Sequence, residues 1–455
     1  MSFRRYPKYK DSGVEWLGEV PEHWDVQRLK RICNVFPSNV DKKSVEGETA
    51  VLLCNYTDVY YNDRIVAGMD FMAATAADDQ VAKFTLRSGD TIITKDSETA
   101  DDIAVAAYVP DNLPGVVCGY HLSMVRPREN IDGAYVKRLF DSTYAKSCFA
   151  VRANGLTRVG LSQYEIDNVD MPVPPRAEQT AIAAFLDRET GKIDALVAEQ
   201  RRLIELLQEK RQAVISHAVT KGLNPDAPMK DSGIEWLGMV PAHWETHTLK
   251  TLFTLKHGYA FDGEQFSVEG EAILMTPGNF FESGGYRAKD PEKYYTGNDF
   301  PEGFVLRPND LLVAMTEQAH GLLGSALFVP SEGVFLHNQR LGLVSGLRCE
   351  LLSKEFLFHL FNSYWYRAAV SVTATGQKVR HTSPQKMLSI GACLPPLSEQ
   401  REIVRSINQQ TDSLSHLEDD ADRAITLLQE RRSALISAAV TGQIDVRHLA
   451  ETGAA

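Results

Sequence analysis

Long apolar runs are missing from this 455-residue chain. No stretch approaches the roughly 20 consecutive apolar residues a bilayer-spanning helix needs. The opening Met1-Ser2-Phe3-Arg4-Arg5-Tyr6-Pro7 lacks the apolar centre of a signal peptide. Cysteine is sparse: the six residues at 33, 54, 118, 148, 349 and 393 show neither metal-ligand spacing nor a disulfide framework. Free thiols in a reducing, cytoplasmic setting are therefore expected, with no membrane partner. Positive charge is also short, with 48 Lys and Arg against 60 Asp and Glu, a net charge of −12. A free-standing nucleic-acid binder is usually basic. That average leaves room for a local basic groove, but implies that tight binding would draw on basic partner subunits. Catalytic signatures are absent as well. There is no Asn/Asp-Pro-Pro-Tyr/Phe motif, no Gly-rich S-adenosylmethionine loop, no Walker A lysine and no convincing acidic cluster with a lysine of nuclease type.

What the chain does contain is written twice. Residues 10–24, from Lys10-Asp11-Ser12-Gly13-Val14-Glu15-Trp16-Leu17-Gly18 to Pro21-Glu22-His23-Trp24, return 220 positions later. The second copy runs from Lys230-Asp231-Ser232-Gly233-Ile234-Glu235-Trp236-Leu237-Gly238 to Pro241-Ala242-His243-Trp244. Pro174-Pro175-Arg176-Ala177-Glu178-Gln179 returns as Pro395-Pro396-Leu397-Ser398-Glu399-Gln400, and Leu206-Leu207-Gln208-Glu209-Lys210-Arg211 as Leu427-Leu428-Gln429-Glu430-Arg431-Arg432. This is a tandem duplication of about half the chain rather than a short-period solenoid. Two like modules suit a target with two halves, or two copies of one partner.

Periodicity changes within each repeat. Residues 25–173 and 245–394 read as mixed short strands and helices. Val51-Leu52-Leu53, Thr91-Ile92-Ile93 and Ile103-Ala104-Val105 are apolar, β-rich runs bounded by turn residues. Their counterparts are Ala272-Ile273-Leu274, Leu311-Leu312-Val313 and Ala326-Leu327-Phe328. The scaffold is shared while the loops differ strongly. The repeat ends read as helices with a heptad seam: Ile193, Leu196, Gln200, Leu203, Leu207, Lys210, Val214, and again Leu414, Leu417, Ala421, Ala424, Leu428, Arg431, Leu435. A helix of about 40 residues, some 60 Å at ~1.5 Å per residue, needs a long partner, and the other copy supplies one. The expected division is a first mixed domain over 1–173, a long helix over 174–221, a linker over 222–230, a second mixed domain over 231–394, a second helix over 395–441 and a tail over 442–455.

A variable mixed domain, Pro-Pro-x-x-Glu-Gln, a long helix ending Gln-Glu-(Lys/Arg)-Arg, then the whole unit again: this resembles the specificity subunit of type I restriction-modification systems over essentially the full chain. Thr441-Gly442-Gln443-Ile444-Asp445 also resembles the family's usual ending. The resemblance implies an α/β fold of two target recognition domains, each followed by a long spacer helix, with the helices paired as an antiparallel coiled coil. It implies a non-catalytic DNA-binding subunit in host defence, each domain reading one half of a bipartite, asymmetric double-stranded site. The partners implied are two methyltransferase subunits and restriction-motor subunits. S-adenosylmethionine, ATP and Mg²⁺ would sit on those partners and no cofactor on this chain. The alternatives are a coiled-coil scaffold without a DNA role, which divergent loops on a repeated fold explain poorly, and a standalone DNA-modifying enzyme, which the missing motifs oppose.

Two loop pairs carry the candidate DNA contacts. Lys95, Asp96 and Glu98 follow a strand and align with Met315-Thr316-Glu317-Gln318. Carboxylates there can accept from cytosine N4, as in major-groove readout. Asp96, Glu98, Asp101 and Asp102 also invite a metal-site reading, but the aligned loop lacks the carboxylate set. Asn154-Gly155-Leu156-Thr157-Arg158 aligns with Thr375-Gly376-Gln377-Lys378-Val379-Arg380, a polar Gly-led loop whose glycine permits close approach and whose Arg and Lys can hold phosphates. Lys42, Lys43 and Arg152 add positive charge. The candidate set is thus Lys42, Lys43, Lys95, Asp96, Glu98, Arg152, Thr157, Arg158, Thr316, Glu317, Gln318, Gln377, Lys378 and Arg380. His23 and His243, beside Trp24 and Trp244 with no second ligand nearby, read as structural.

Overall fold

The computed structural model describes residues 3–297, 301, 303–317 and 321–449. It divides into two compact units, Met1–Gln200 with Arg423–Ala455, and Arg201–Asp422. Each repeat's mixed domain lies in one unit. Each long helix, α1 (Arg176–Lys221) and α2 (Leu397–Val440), contributes a segment to both.

In unit 1 a four-stranded antiparallel sheet runs in the order Cys33–Pro37, Leu122–Pro127, Thr91–Thr94, Ala106–Tyr108. A second sheet places Thr49–Cys54 between Met72–Ala76, antiparallel, and Val116–Cys118, parallel. Unit 2 repeats the four-stranded order as Thr254–His257, Leu341–Ser345, Leu311–Ala314, Ala326–Phe328. It also repeats the parallel pairing, Ala272–Met275 beside Val334–His337. The apolar runs form these strands because both faces are covered: Ile92 and Ile93 belong to different cores, as do Leu312 and Val313. Ile103-Ala104-Val105, expected as a strand, is instead a bulge that leads into Ala106–Tyr108. Ala104 has φ 57° and its N–H donates to Thr94 O at 3.1 Å. Gly324 makes the same turn in unit 2, donating to Ala314 O at 2.9 Å.

The helices begin at Arg176 and Leu397, directly after the paired prolines, which cannot be preceded by helical residues. In unit 1 the start of α1 lies with the end of α2: Ile182, Leu186 and Ile193 share a core with Leu435, Ile436 and Ala439. Arg432 Nε meets Asp194 Oδ1 at 2.9 Å. In unit 2 the end of α1 lies with the start of α2, Ile215 and Val219 beside Ile403 and Ile407, and Arg211 donates to Ser415 Oγ at 2.6 Å. Both pairings are antiparallel. The heptad seam is only partly what the helices bury. Leu196, Leu203 and Leu417 are exposed, while Val197 and Ile436, off the seam, are buried. Where a helix packs on a domain as well as on its partner, the domain draws other positions inward. Met229 and Lys230, placed in the linker, form with Asp231 a strand paired with Met239–Pro241, and the tail docks on unit 1 through Asp445 N donating to Arg4 O at 2.8 Å.

Candidate nucleic-acid interface

The two repeated motifs meet in space. Glu178, in the first turn of α1, accepts from Trp24 Nε1 at 3.1 Å, from the Tyr6 hydroxyl, and pairs with His23 Nε2 at 2.9 Å. Glu399 does the same in unit 2 with Trp244 Nε1 at 3.1 Å and His243 Nε2 at 2.7 Å. The neighbouring glutamines close the other side. Gln179 accepts from Asp132 N and donates to Pro174 O, both at 2.8 Å. Gln400 accepts from Ser353 N at 2.8 Å and donates to Pro395 O at 2.9 Å. His23 and His243 thus fix each domain to its helix.

On that rigid base the two candidate loops of each repeat come together. In unit 1, Asp96–Ser97 pairs antiparallel with Val159–Gly160, bringing Lys95, Asp96 and Glu98 beside Thr157 and Arg158. In unit 2, Thr316–Glu317 pairs with Arg380–His381 beside Gln377 and Lys378. The Gly-led loop is a tight turn in both. A Cβ on Gly155 (φ 152°) would meet Arg158 O at 1.9 Å, and one on Gly376 (φ 103°) would meet Val379 O at 2.0 Å. Glycine is required because any side chain there collides with backbone.

The strand register corrects one alignment. Val159 lies across from Ser97, and Arg380 across from Glu317, so Arg380 corresponds to Val159 and not to Arg158. The charges accordingly do different things. Glu317 is buried, with Oε1 on Arg380 at 2.9 Å and Oε2 accepting from Gly321 N at 3.1 Å and Leu323 N at 3.0 Å. Arg380 also donates to Ser371 O and Oγ at 2.8 Å. This pair holds the loop; it does not face outward. Asp96 Oδ2 meets His121 Nδ1 at 2.8 Å, and Oδ1 lies 3.1 Å from exposed Arg158, close but not aligned as a hydrogen bond. Arg152 turns inward to Cys148 O at 2.8 Å. Lys95 donates to Ser38 O at 3.2 Å and lies 4.6 Å over the Tyr120 ring; burial lowers its pKa. Lys42, Lys43, Glu98, Thr157, Arg158, Gln377 and Lys378 are exposed, and Thr316 is half-buried. Gln318 lies outside the described residues.

Sequence reasoning missed the residues between the parallel strand and the sheet: Tyr120 and His121 in unit 1, Gln339 and Arg340 in unit 2. Lys95 N donates to His121 O at 3.2 Å and Met315 N to Arg340 O at 3.0 Å, so each turn abuts the candidate loops. It also missed a tyrosine row. Tyr56 and Tyr60 stack at 5.5 Å, Tyr61 packs edge-on at 5.0 Å, and Tyr60 donates to Asp102 at 2.6 Å, an interaction that pushes its phenol up to about 12. The i, i+4 spacing of Tyr56 and Tyr60 was the available signal.

The family described as the type I restriction modification DNA specificity domain matches residues 21–206. The MjaVIII type I restriction enzyme specificity subunit of Methanocaldococcus jannaschii is 22% identical over 443 residues, covering 94% of this chain and 95% of that one. The chain is thus similar to type I specificity subunits along nearly its whole length. An HsdS subunit from Thermoanaerobacter tengcongensis shares the fold at 18% identity and TM-score 0.50, over 93% of this chain and 98% of that one. A chain from a type I R-M system described for its complex assembly and conformational transition does so at 18% identity and TM-score 0.65, over 92% and 98%. The chain therefore shares its scaffold with these solved structures.

Proposed function

We propose that this chain is the non-catalytic DNA-reading subunit of a type I restriction-modification assembly, each mixed domain reading one half of a bipartite site. One observation carries the reading. The same crossing of a post-strand loop with a Gly-led turn is built twice, on side chains that differ almost throughout. A repeated scaffold with unlike presented groups is what two half-site readers require. In unit 1 the presented set is Lys42, Lys43, Glu98, Thr157 and Arg158, with His121 and Tyr120; in unit 2 it is Gln377, Lys378, Gln339 and Arg340. Asp96, Glu317 and Arg380 position the loops. Phosphate contacts by the lysines and arginines would make binding salt-dependent, and the net charge of −12 leaves most of the affinity to partner subunits.

The partners are double-stranded DNA, two methyltransferase subunits, which carry S-adenosylmethionine, and restriction-motor subunits, which carry ATP and Mg²⁺. Exposed leucines on the long helices, Leu196 and Leu427 in unit 1 and Leu203, Leu206 and Leu417 in unit 2, support helix docking of such partners. The test is methyl transfer by the purified chain and by the chain with its methyltransferase, followed by mapping of methylated adenines. The expected result is no transfer by the chain alone and modification within a two-part motif by the complex. Methylation by the isolated chain, or modification confined to a contiguous site, would sink the reading.

A further inference from the structure

The two repeats part company where each mixed domain packs on the long helices. In unit 1 six charges meet there. Lys137 pairs with Asp63 and, at 2.8 Å, with Asp141. Arg138 reaches Asp187 at 2.6 Å and Asp141 at 3.1 Å, and Arg64 reaches Asp187 at 2.8 Å. Lys137 and Arg138 are buried, so these side chains fill the junction. The loops that carry Asp63 and its counterpart open on the same cap: Asn55 N donates to Asp58 Oδ2 at 2.7 Å, and Thr276 N, 221 positions on, to Asn279 Oδ1 at 3.0 Å. At that offset the six charges become Gly284, Gly285, Phe358, His359, Asn362 and Asn408. A Cβ on Gly284 would meet Asn362 Cγ at 2.3 Å, so no side chain can replace Asp63 there.

In place of the network, unit 2 has a cleft of about 850 Å³ between this loop and the helix segments, a volume typical of small-molecule sites. Its outer wall is the loop, held by Gly285 N donating to Ala326 O at 2.9 Å and Ser325 Oγ to Phe281 O at 2.8 Å. That wall presents the Phe281 ring, 48% exposed, and Arg287, which is exposed and forms no ion pair among the described residues. Half-buried Arg367, donating to Glu282 O, adds a second cation. The inner wall carries acceptors. His359 donates from Nε2 to Asn408 Oδ1 at 3.1 Å, which leaves Nδ1 an acceptor, buried and without a partner. Burial lowers its pKa to about 4, so the imidazole is neutral. Glu418 Oε1 is likewise buried and unpartnered, its other oxygen 3.8 Å from Arg211. Buried acceptors left unmet are costly, and both call for an N–H or O–H donor. An occupant suited to these groups has a flat ring for Phe281, an anionic group for the arginines and an amino group for the acceptors. An aminopurine nucleotide combines all three.

We propose that this cleft binds a free aminopurine mononucleotide, at a site present in unit 2 and filled by side chains in unit 1. The test is isothermal titration of the full chain with adenosine and guanosine 5′-monophosphates, for wild type, Phe281→Ala and Arg287→Glu, both at exposed positions. Wild type should bind one of the two nucleotides at one per chain. Inosine 5′-monophosphate lacks the amino group and the parent nucleoside lacks the phosphate, so each should bind at least tenfold more weakly. Phe281→Ala and Arg287→Glu should each weaken binding at least tenfold with unchanged unfolding midpoints. His359→Arg with Asn408→Asp, which reinstates the Arg138–Asp187 pair of unit 1, should abolish it. Absence of saturable binding at millimolar nucleotide, or equal binding of the inosine nucleotide, would overturn the proposal. So would affinity that both exposed variants leave unchanged. A single-stranded oligonucleotide that competes more tightly than the mononucleotide would overturn the free ligand in favour of a nucleotide within a strand. None of these outcomes touches half-site reading, which rests on the recognition loops.

Discussion

At the scale of residues, the duplicated motifs were legible as anchors but not as partners. His23 and Trp24 read as structural from their apolar neighbourhood, whereas Glu178, 154 residues away from Trp24, could be assigned to them only once the chain was folded. Glu178 is 5% exposed and serves three donors; the Glu399 side chain is 26% exposed and serves two. Removing a buried acceptor leaves its donors unsatisfied, while water replaces a part-exposed one. Glu178→Ala should therefore cost about 3 kcal/mol and Glu399→Ala only about 1 kcal/mol in denaturant unfolding. Equal costs would contradict the burial argument. The glycines were legible for a simpler reason, since Gly155 and Gly376 are the only residues that fit their turns. Gly155→Ala should weaken recognition of one half-site at least tenfold, about 1.4 kcal/mol, and Gly376→Ala the other, with each unit still folded though less stable. Binding of the reconstituted complex to oligonucleotides altered in each half checks it.

At the scale of elements, the long helices and most strands could be read from apolar spacing because burial dictates it. The failures have physical causes. Ile103-Ala104-Val105 has strand composition, but Ala104 takes a left-handed conformation at a bulge, which composition does not encode. The heptad seam assumed a two-helix partner, and domain packing draws Val197 and Ile436 inward instead. The loop alignment failed because Glu317–Arg380 replaces Ser97–Val159, a neutral pair, across the same short ladder. That exchange predicts strong coupling. Glu317→Ser alone leaves a half-buried guanidinium and two loop N–H groups without their acceptor, at about 2–3 kcal/mol. Adding Arg380→Val should recover at least 1 kcal/mol, a coupling that a double-mutant cycle in denaturant reads directly. Additive losses would show that the pair does not hold the loop.

At the scale of the whole molecule, the duplication predicted two like units, and the structure adds that they differ in acid sensitivity. His337 and His359 in unit 2 are buried, and burial lowers both to about 4. Unfolded histidine titrates near 6.5, so below that pH the unfolded chain binds protons that the folded unit does not. Stability is fully present above about 6.5 and is lost as pH falls towards about 4, by up to about 3 kcal/mol per histidine. Unit 1 has Cys118 and Arg138 at the matching positions. Hydrogen exchange, corrected for intrinsic rates, should show unit 2 opening first between pH 6.5 and 4.5; equal loss of protection in both units would contradict this.

The sequence alone indicated two readers, but not which side chains face DNA, because exposure of Arg158 and burial of Arg380 depend on one strand register. The claim that each unit reads its own half-site is tested most directly by exchange. Residues 25–173 are replaced by the same span of a related specificity subunit, and the methylated adenines of a host expressing the chimera with its methyltransferase are sequenced. The account predicts that one half of the two-part motif changes while the other half stays as in wild type. A change in both halves, or in neither, would contradict it.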